Sequence, residues 1–93
     1  MTIFAVVVQA GPGGDGLTAA IRQHFDKANY QLDGDRGWLV AGKATAKEVS
    51  DTLGITDGTS EAALVLEVAS YFGRANPSIW TWIKDNWEIG KNG

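Results

Sequence analysis

TIFAVVV, residues 2–8, is the stretch of sequence that decides the fold. Its β-branched and aromatic residues predict a strand. Both alternating sets of side chains are apolar: Ile3, Ala5 and Val7 in one set, Phe4, Val6 and Val8 in the other. A strand of this kind is typical of a sheet that is covered on both faces. Both faces of this strand therefore need a covering layer.

A helix is expected after the glycine-rich turn at residues 11–16. Its apolar stripe recurs at helical spacing: Leu17, Ala20, Ile21, His24, Phe25 and Ala28. His24 is the only histidine of the chain, and one histidine cannot supply the usual metal cluster. Because it lies in the stripe, we expect it to be partly buried in a packing role, with a general base as the alternative.

Two strands and a short capped helix are expected next. Residues 30–32 and 37–42 flank Asp33-Gly34-Asp35, which predicts a hairpin. The stretch from Thr45 to Glu48 has the spacing of a capping box, in which each of these two side chains accepts from the other residue's backbone amide. The helix that it opens should end at Gly54, a residue that favours helix C-termini.

A fourth strand and a third helix complete the pattern. Residues 62–69 place Leu64 and Leu66 on one face, and Asn76-Pro77 begins a tryptophan-rich helix that extends to about residue 88. The order predicts an α+β fold: a ferredoxin-like βαββαβ antiparallel sheet with an added C-terminal helix. Strands one and three would be central, and strand four would lie at an edge. We expect a single domain over residues 1–89 and a flexible tail at 90–93.

Composition narrows the class of protein. The chain has 93 residues, no cysteine and a net charge of -3. The absence of cysteine excludes a disulfide framework and a thiolate metal site, and it favours a reducing, cytoplasmic compartment. The acidic balance argues against non-specific nucleic-acid binding. We expect no signal segment, no membrane association, no metal and no cofactor.

The fourth strand and the second face of the sheet both need protection. Two crossover helices cover one face only, so the C-terminal helix or a second copy of the chain has to cover the other. A bare, apolar strand at residues 62–69 would also be a template for aggregation. We therefore expect a homodimer; the alternative is a monomer in which the terminal helix covers everything.

These segments resemble a known family. The resemblance rests on the opening strand at residues 3–8, on Trp38-Leu39-Val40 with the capped helix after it, and on the apolar strand that precedes residues 80–84, WTWIK. The chain is similar to the small bacterial ferredoxin-like proteins related to the CRISPR-associated adaptation subunit, an endoribonuclease-like dimer. The resemblance implies a dimer, contact with nucleic acid and a bacterial or phage origin near defence or mobile-element functions. Nuclease members use an aspartate at the end of the first strand, where this chain has Gln9, so their metal-dependent activity does not transfer.

No reaction follows from the residues themselves. Four glycines of the turn are candidates for anion binding through their backbone amides, namely Gly11, Gly13, Gly14 and Gly16. The spacing differs from that of a dinucleotide-binding loop, so a plain turn is the alternative. Asp33, Asp35 and Asp57 are interpreted as turn residues. Glu67 interrupts an apolar strand, and it either pairs with Arg74 or faces solvent.

The aromatic segment at residues 71–87 is the best candidate for a binding surface. Four of its residues are proposed to contact a partner: Tyr71, Arg74, Trp82 and Trp87. Trp38 and Trp80 are expected in the core, while for Trp82 and Trp87 a core role stays open. Our main hypothesis is a non-enzymatic, dimeric interaction module that binds another macromolecule. A divergent metal-dependent nuclease-like protein and a nucleotide or anion binder are the alternatives.

Overall fold

The computed structural model describes residues 2–9 and 16–87. Four strands and three helices are present in these ranges: β1 (Thr2–Val8), α1 (Gly16–His24), β2 (Asn29–Asp33), β3 (Gly37–Gly42), α2 (Ala46–Thr52), β4 (Ala63–Glu67) and α3 (Pro77–Asn86). The strands form one antiparallel sheet in the order β2-β3-β1-β4. The α+β class, the inner position of β1 and β3 and the edge position of β4 are therefore confirmed. The tail expected at 90–93 lies outside the described residues.

One face of the sheet carries the larger core. Phe4 and Val6 of β1 and Trp38 and Val40 of β3 pack there against buried residues of α1 and α2. The helical contributors are Leu17, Ile21, Val49 and Leu53. Trp38 and Val40 share this face because they lie opposite Val6 and Phe4 in the antiparallel register. The alternation expected from sequence for β1 and β3 is confirmed.

The second face is covered by α3, but only in part. Ile79 and Ile83 of α3 bury Ile3, Leu39 and Ala41. Towards the other end of β1, Val7 is 45% exposed, and its cross-strand neighbour Leu64 is 62% exposed. The C-terminal helix is thus one cover of this face, as expected, and it leaves one corner open.

Helix α2 begins and ends as its sequence predicts. The Thr45 side chain accepts from the Glu48 amide, and the Glu48 carboxylate accepts from the Thr45 amide at 2.8 Å. At the other end Gly54 has a φ of 75°, and the amide of Ile55 donates to the Ser50 carbonyl at 3.0 Å. This is the hydrogen bond of a Schellman motif, and Ile55 packs against the core.

Replacing Thr45 with alanine is expected to lower the free energy of unfolding by about 1 kcal/mol. Helix α2 has only seven residues, and so short a helix depends on its caps and its packing. Urea unfolding followed by circular dichroism measures the change. The control is Thr52→Ala at the exposed end of the same helix, where no cap is lost. Equal stability of the two variants would argue that the cap contributes nothing.

The packing role expected for His24 is wrong. Helix α1 ends at His24, and the side chain is exposed. The helix ends four residues before the last residue of its apolar stripe, because the chain leaves the helix before Phe25 and Ala28. Both of those residues still pack on the sheet, but on opposite faces of it.

Candidate functional site

The aromatic residues of the C-terminal part form a layered cluster on the second face of the sheet. The Tyr71 ring stacks on Trp80 with a centroid separation of 5.9 Å, and it meets Trp87 edge-on at 5.1 Å. Trp80 and Trp87 are half-buried and pack on the core that α3 covers. Rings in these geometries attract one another beyond the area that they bury. Tyr71 is therefore held in place although it lies in a segment without regular structure.

The four residues proposed from sequence to bind a partner do not all meet in one place. Tyr71 and Trp87 touch, whereas Trp82 packs instead against Tyr30 of β2, with ring centroids 6.1 Å apart. Trp82 is half-buried there, and the Tyr30 hydroxyl is hydrogen-bonded to that of Ser78. Arg74 is exposed in the segment before α3. Two aromatic groups thus lie on α3, one with Tyr71 and one with Tyr30.

Phe72 is the aromatic residue that sequence reasoning missed. Its side chain is fully exposed, although its neighbour Tyr71 is packed. Together with Tyr71, Gly73 and Trp80 it lines a shallow groove of about 260 Å³. Gly73 has a φ of 153°, a conformation that residues with a Cβ rarely adopt, so the shape of this segment depends on glycine. The sequence feature that could have indicated an exposed aromatic residue here is Tyr-Phe-Gly, which lies between a strand and a capped helix.

A second exposed apolar area lies at the corner of the sheet that α3 does not cover. We call Val7, Leu64 and Leu66 the open patch. In the register of β1 and β4, Val7 lies opposite Leu64, and Leu66 lies opposite Ala5. The three side chains are 45–62% exposed. Isolated exposed leucines are ordinary on protein surfaces, whereas a contiguous apolar group is a candidate contact site.

The glycine turn is only partly within the described residues. Gly11, Gly13 and Gly14 lie outside them, and Gly16 begins α1. The Glu61 carboxylate accepts a hydrogen bond from the Leu17 amide at 3.2 Å, and a Cβ on Gly16 would meet the same carboxylate oxygen at 3.1 Å. An acidic side chain thus occupies the helix N-terminus, where it repels an incoming anion. This contact counts against the anion-binding alternative at Gly16.

The acidic residues show no catalytic arrangement in the described ranges. The Asp57 carboxylate accepts hydrogen bonds from the hydroxyl and from the backbone amide of Thr59. These bonds, the one from the hydroxyl most of all, hold the pKa of Asp57 below its usual value. This is the arrangement expected of a structural aspartate in a turn. Gln9, which follows the last residue of β1, is exposed. Among residues 2–9 and 16–87, no three histidine or acidic side chains come close enough together to hold a metal ion.

Glu67 faces solvent at the edge strand. Both Glu67 and Arg74 are exposed, and they do not form an ion pair with each other within the described residues. Of the two interpretations given above, the solvent-facing one is confirmed.

Trp38, expected in the core, is fully buried there, and its indole N–H has no hydrogen-bond partner in the described part of the chain.

Comparison with family models, with curated proteins and with solved structures gave no match for this chain. None of the helices α1, α2 and α3, the helices of the described ranges, has the length and apolar character needed to cross a membrane.

Proposed function

We propose that the chain is a non-enzymatic interaction module that binds a protein partner through an aromatic surface made of Tyr71, Phe72 and Trp80. The observation that carries the proposal is the complete exposure of Phe72 beside rings that are held in place. The side chains that meet at this site are apolar rather than acidic or basic. Such a site offers contact area, not proton transfer or a nucleophile.

The position of Phe72 favours binding for an energetic reason. An exposed phenylalanine already presents its ring to solvent, so a partner that covers it removes apolar surface from water. The stacked Tyr71 and Trp80 also line the groove, and they lose little freedom when a ligand is bound. Aromatic residues in pockets of this kind are the usual anchors of protein interfaces.

A protein is a better partner for this surface than a nucleic acid. The chain has a net charge of -3, so its long-range field does not attract a phosphate backbone. Arg74 is the nearest basic residue along the chain, and one cation neutralises little of a polyanion. The groove is instead suited to an apolar or aromatic side chain of a folded protein or a peptide.

Replacing Phe72 with alanine is expected to weaken binding by about 30-fold or more, the effect of losing a hot-spot side chain. Peptides selected from a random displayed library against the wild-type protein supply the ligands. Their affinities are measured by tryptophan fluorescence, because Trp80 lies in the groove. Amide chemical-shift changes should map to residues 71–73 and to Trp80.

Leu32→Ala is the matched control for this experiment. Leu32 is 47% exposed, lies on β2 and does not line the aromatic groove. We expect the control to bind the selected peptides as the wild type does. Equal affinities of wild type and Phe72→Ala, or shift changes that avoid residues 71–73, would contradict the proposal.

We also propose the finer classification of the fold as ferredoxin-like. The element order β1-α1-β2-β3-α2-β4 and the antiparallel sheet β2-β3-β1-β4 support it, since this order places the first and third strands inside and both crossover helices on one face. The relationship to the CRISPR-associated adaptation subunit and a cytoplasmic location are proposals that rest on the sequence features given above.

A further inference from the structure

The outer edge of β4 carries backbone groups that can pair with another strand. The Val68 amide donates to the Ile3 carbonyl, and the Gln9 amide donates to the Ala62 carbonyl. In an antiparallel pair, hydrogen-bonded and non-hydrogen-bonded positions alternate, so the even-numbered residues of β4 bond to β1. The odd-numbered ones, Ala63, Val65 and Glu67, therefore direct their N–H and C=O groups away from the sheet. Nothing in residues 2–9 and 16–87 pairs with this edge.

The two edges of the sheet differ in how they are protected. Strand β2 has a register shift between Gln31 and Asp33, and it ends in an acidic turn. A bulge and charges of this kind prevent a further strand from pairing. Strand β4 is regular over its five residues and has no lysine or proline. The β4 edge is thus the one that remains able to accept a strand.

A second β4 strand matches this edge in one fully overlapping register. If Val65 lies opposite Val65 of another copy, all three outward-directed residues of one strand meet outward-directed residues of the other. Leu64 then lies opposite Leu66 of the second copy, and Leu66 lies opposite its Leu64. The four leucine side chains then lie together on the second face of the sheet, where Leu64 and Leu66 are exposed in each copy. A register that places Glu67 opposite Glu67 pairs like charges and is disfavoured.

We infer that a second copy of this chain pairs antiparallel with the β4 edge, with Val65 on the two-fold axis, to form one continuous sheet of twice the width. This interface is separate from the aromatic groove and does not rest on the proposed function. It brings together the open patches of the two copies, and the shared contact is self-complementary, as a two-fold dimer requires. The second copy gives Leu64 and Leu66 apolar neighbours beyond the edge, where each copy alone has none among its described residues.

Val65→Pro tests the central hydrogen bonds. In the inferred register both bonds at the axis are donated by Val65 amides, one from each copy, so proline removes both. We expect the dimer dissociation constant to rise by about 30-fold or more. Proline is tolerated on an edge strand where the N–H faces solvent, so the monomer should stay folded, which circular dichroism checks. Light scattering coupled to size exclusion, over a dilution series, measures the dissociation constant.

Leu66→Lys and Leu32→Lys form a matched pair for the leucine contact. The two leucines are 50% and 47% exposed, but they lie on opposite edge strands, β4 and β2. Leu66→Lys should dissociate the dimer, whereas Leu32→Lys should leave it intact. A wild-type protein that is monomeric throughout the dilution series would overturn the inference. So would a dimer that Leu32→Lys dissociates and Val65→Pro does not.

Single cysteines test the register. The chain has no cysteine of its own, so one introduced thiol can form a disulfide only with another copy. Opposed residues of a hydrogen-bonded pair have Cα atoms about 5.5 Å apart, within disulfide range. Oxidised Val65→Cys should give a covalent dimer, whereas Ala63→Cys should not, because its two copies would lie roughly 13 Å apart along the strands. Cross-linking by Ala63→Cys alone would refute this register, and cross-linking by neither variant would refute the edge pairing.

Discussion

Replacing Phe4 with alanine is expected to lower the free energy of unfolding by about 3–5 kcal/mol. Phe4 is fully buried in the core that β1 and β3 form with α1 and α2. A cavity in this position cannot be filled by solvent or by a flexible surface side chain. Because a domain of this size is stable by only about 5–15 kcal/mol, the loss should be a large fraction of the total.

Phe72→Ala is the control for this prediction, since the chemical change is identical. The Phe72 ring is fully exposed, so its removal should change the stability by no more than about 0.5 kcal/mol. Thermal unfolding separates the two: Phe4→Ala should lower the Tm by roughly 12 °C or more, and Phe72→Ala should leave it nearly unchanged. Similar Tm values for the two variants would show that β1 is not the centre of the fold.

Replacing Ile83 with aspartate is expected to destabilise the protein by about 3–5 kcal/mol. Ile83 is buried where α3 packs on Ile3, Leu39 and Ala41, and a carboxylate there would lose its hydration with no partner in reach. The helix should detach from the sheet. Because the tryptophans of α3 pack on the same cluster, their fluorescence should shift to longer wavelength before the rest of the domain unfolds.

The matched control is Thr81→Asp on the exposed side of the same helix. Its stability should lie within about 0.5 kcal/mol of the wild type, and its emission spectrum should be unchanged. If Ile83→Asp were as stable as Thr81→Asp, α3 would not be the cover of the second face. In that case Ile3 and Leu39 would need another explanation for their burial.

Local signals made much of this fold predictable. The alternation in β1 and β3, the capping box at Thr45 and the Asn76-Pro77 start of α3 all depend on residues close in sequence, and each is confirmed. The inner position of β1 was also predictable, because a strand that is apolar on both faces has to be covered on both. These inferences need only the local geometry of helices and strands.

The candidate site was less predictable, because it depends on long-range contacts. Trp82 and Trp87 are five residues apart on one chain segment, yet one packs on Tyr30 and the other on Tyr71. No spacing rule shows which of two tyrosines a helix will contact. The exposure of Phe72 is a similar case, since its neighbour Tyr71 packs on Trp80 and Trp87 while Phe72 itself stays exposed. His24 shows the related limit at a helix end, where the periodic pattern continues after the helix has stopped.

The central position of β1 has a consequence for the time course of folding. Both strands that pair with β1 come later in the chain, and Phe4 lies opposite Glu67, a partner that leaves the ribosome long afterwards. Contacts so distant in sequence require the closure of long loops, which slows the search for the native sheet. Until β4 emerges, a nascent chain exposes TIFAVVV along one whole edge, so during synthesis this segment is the part of the described chain most in need of chaperone protection.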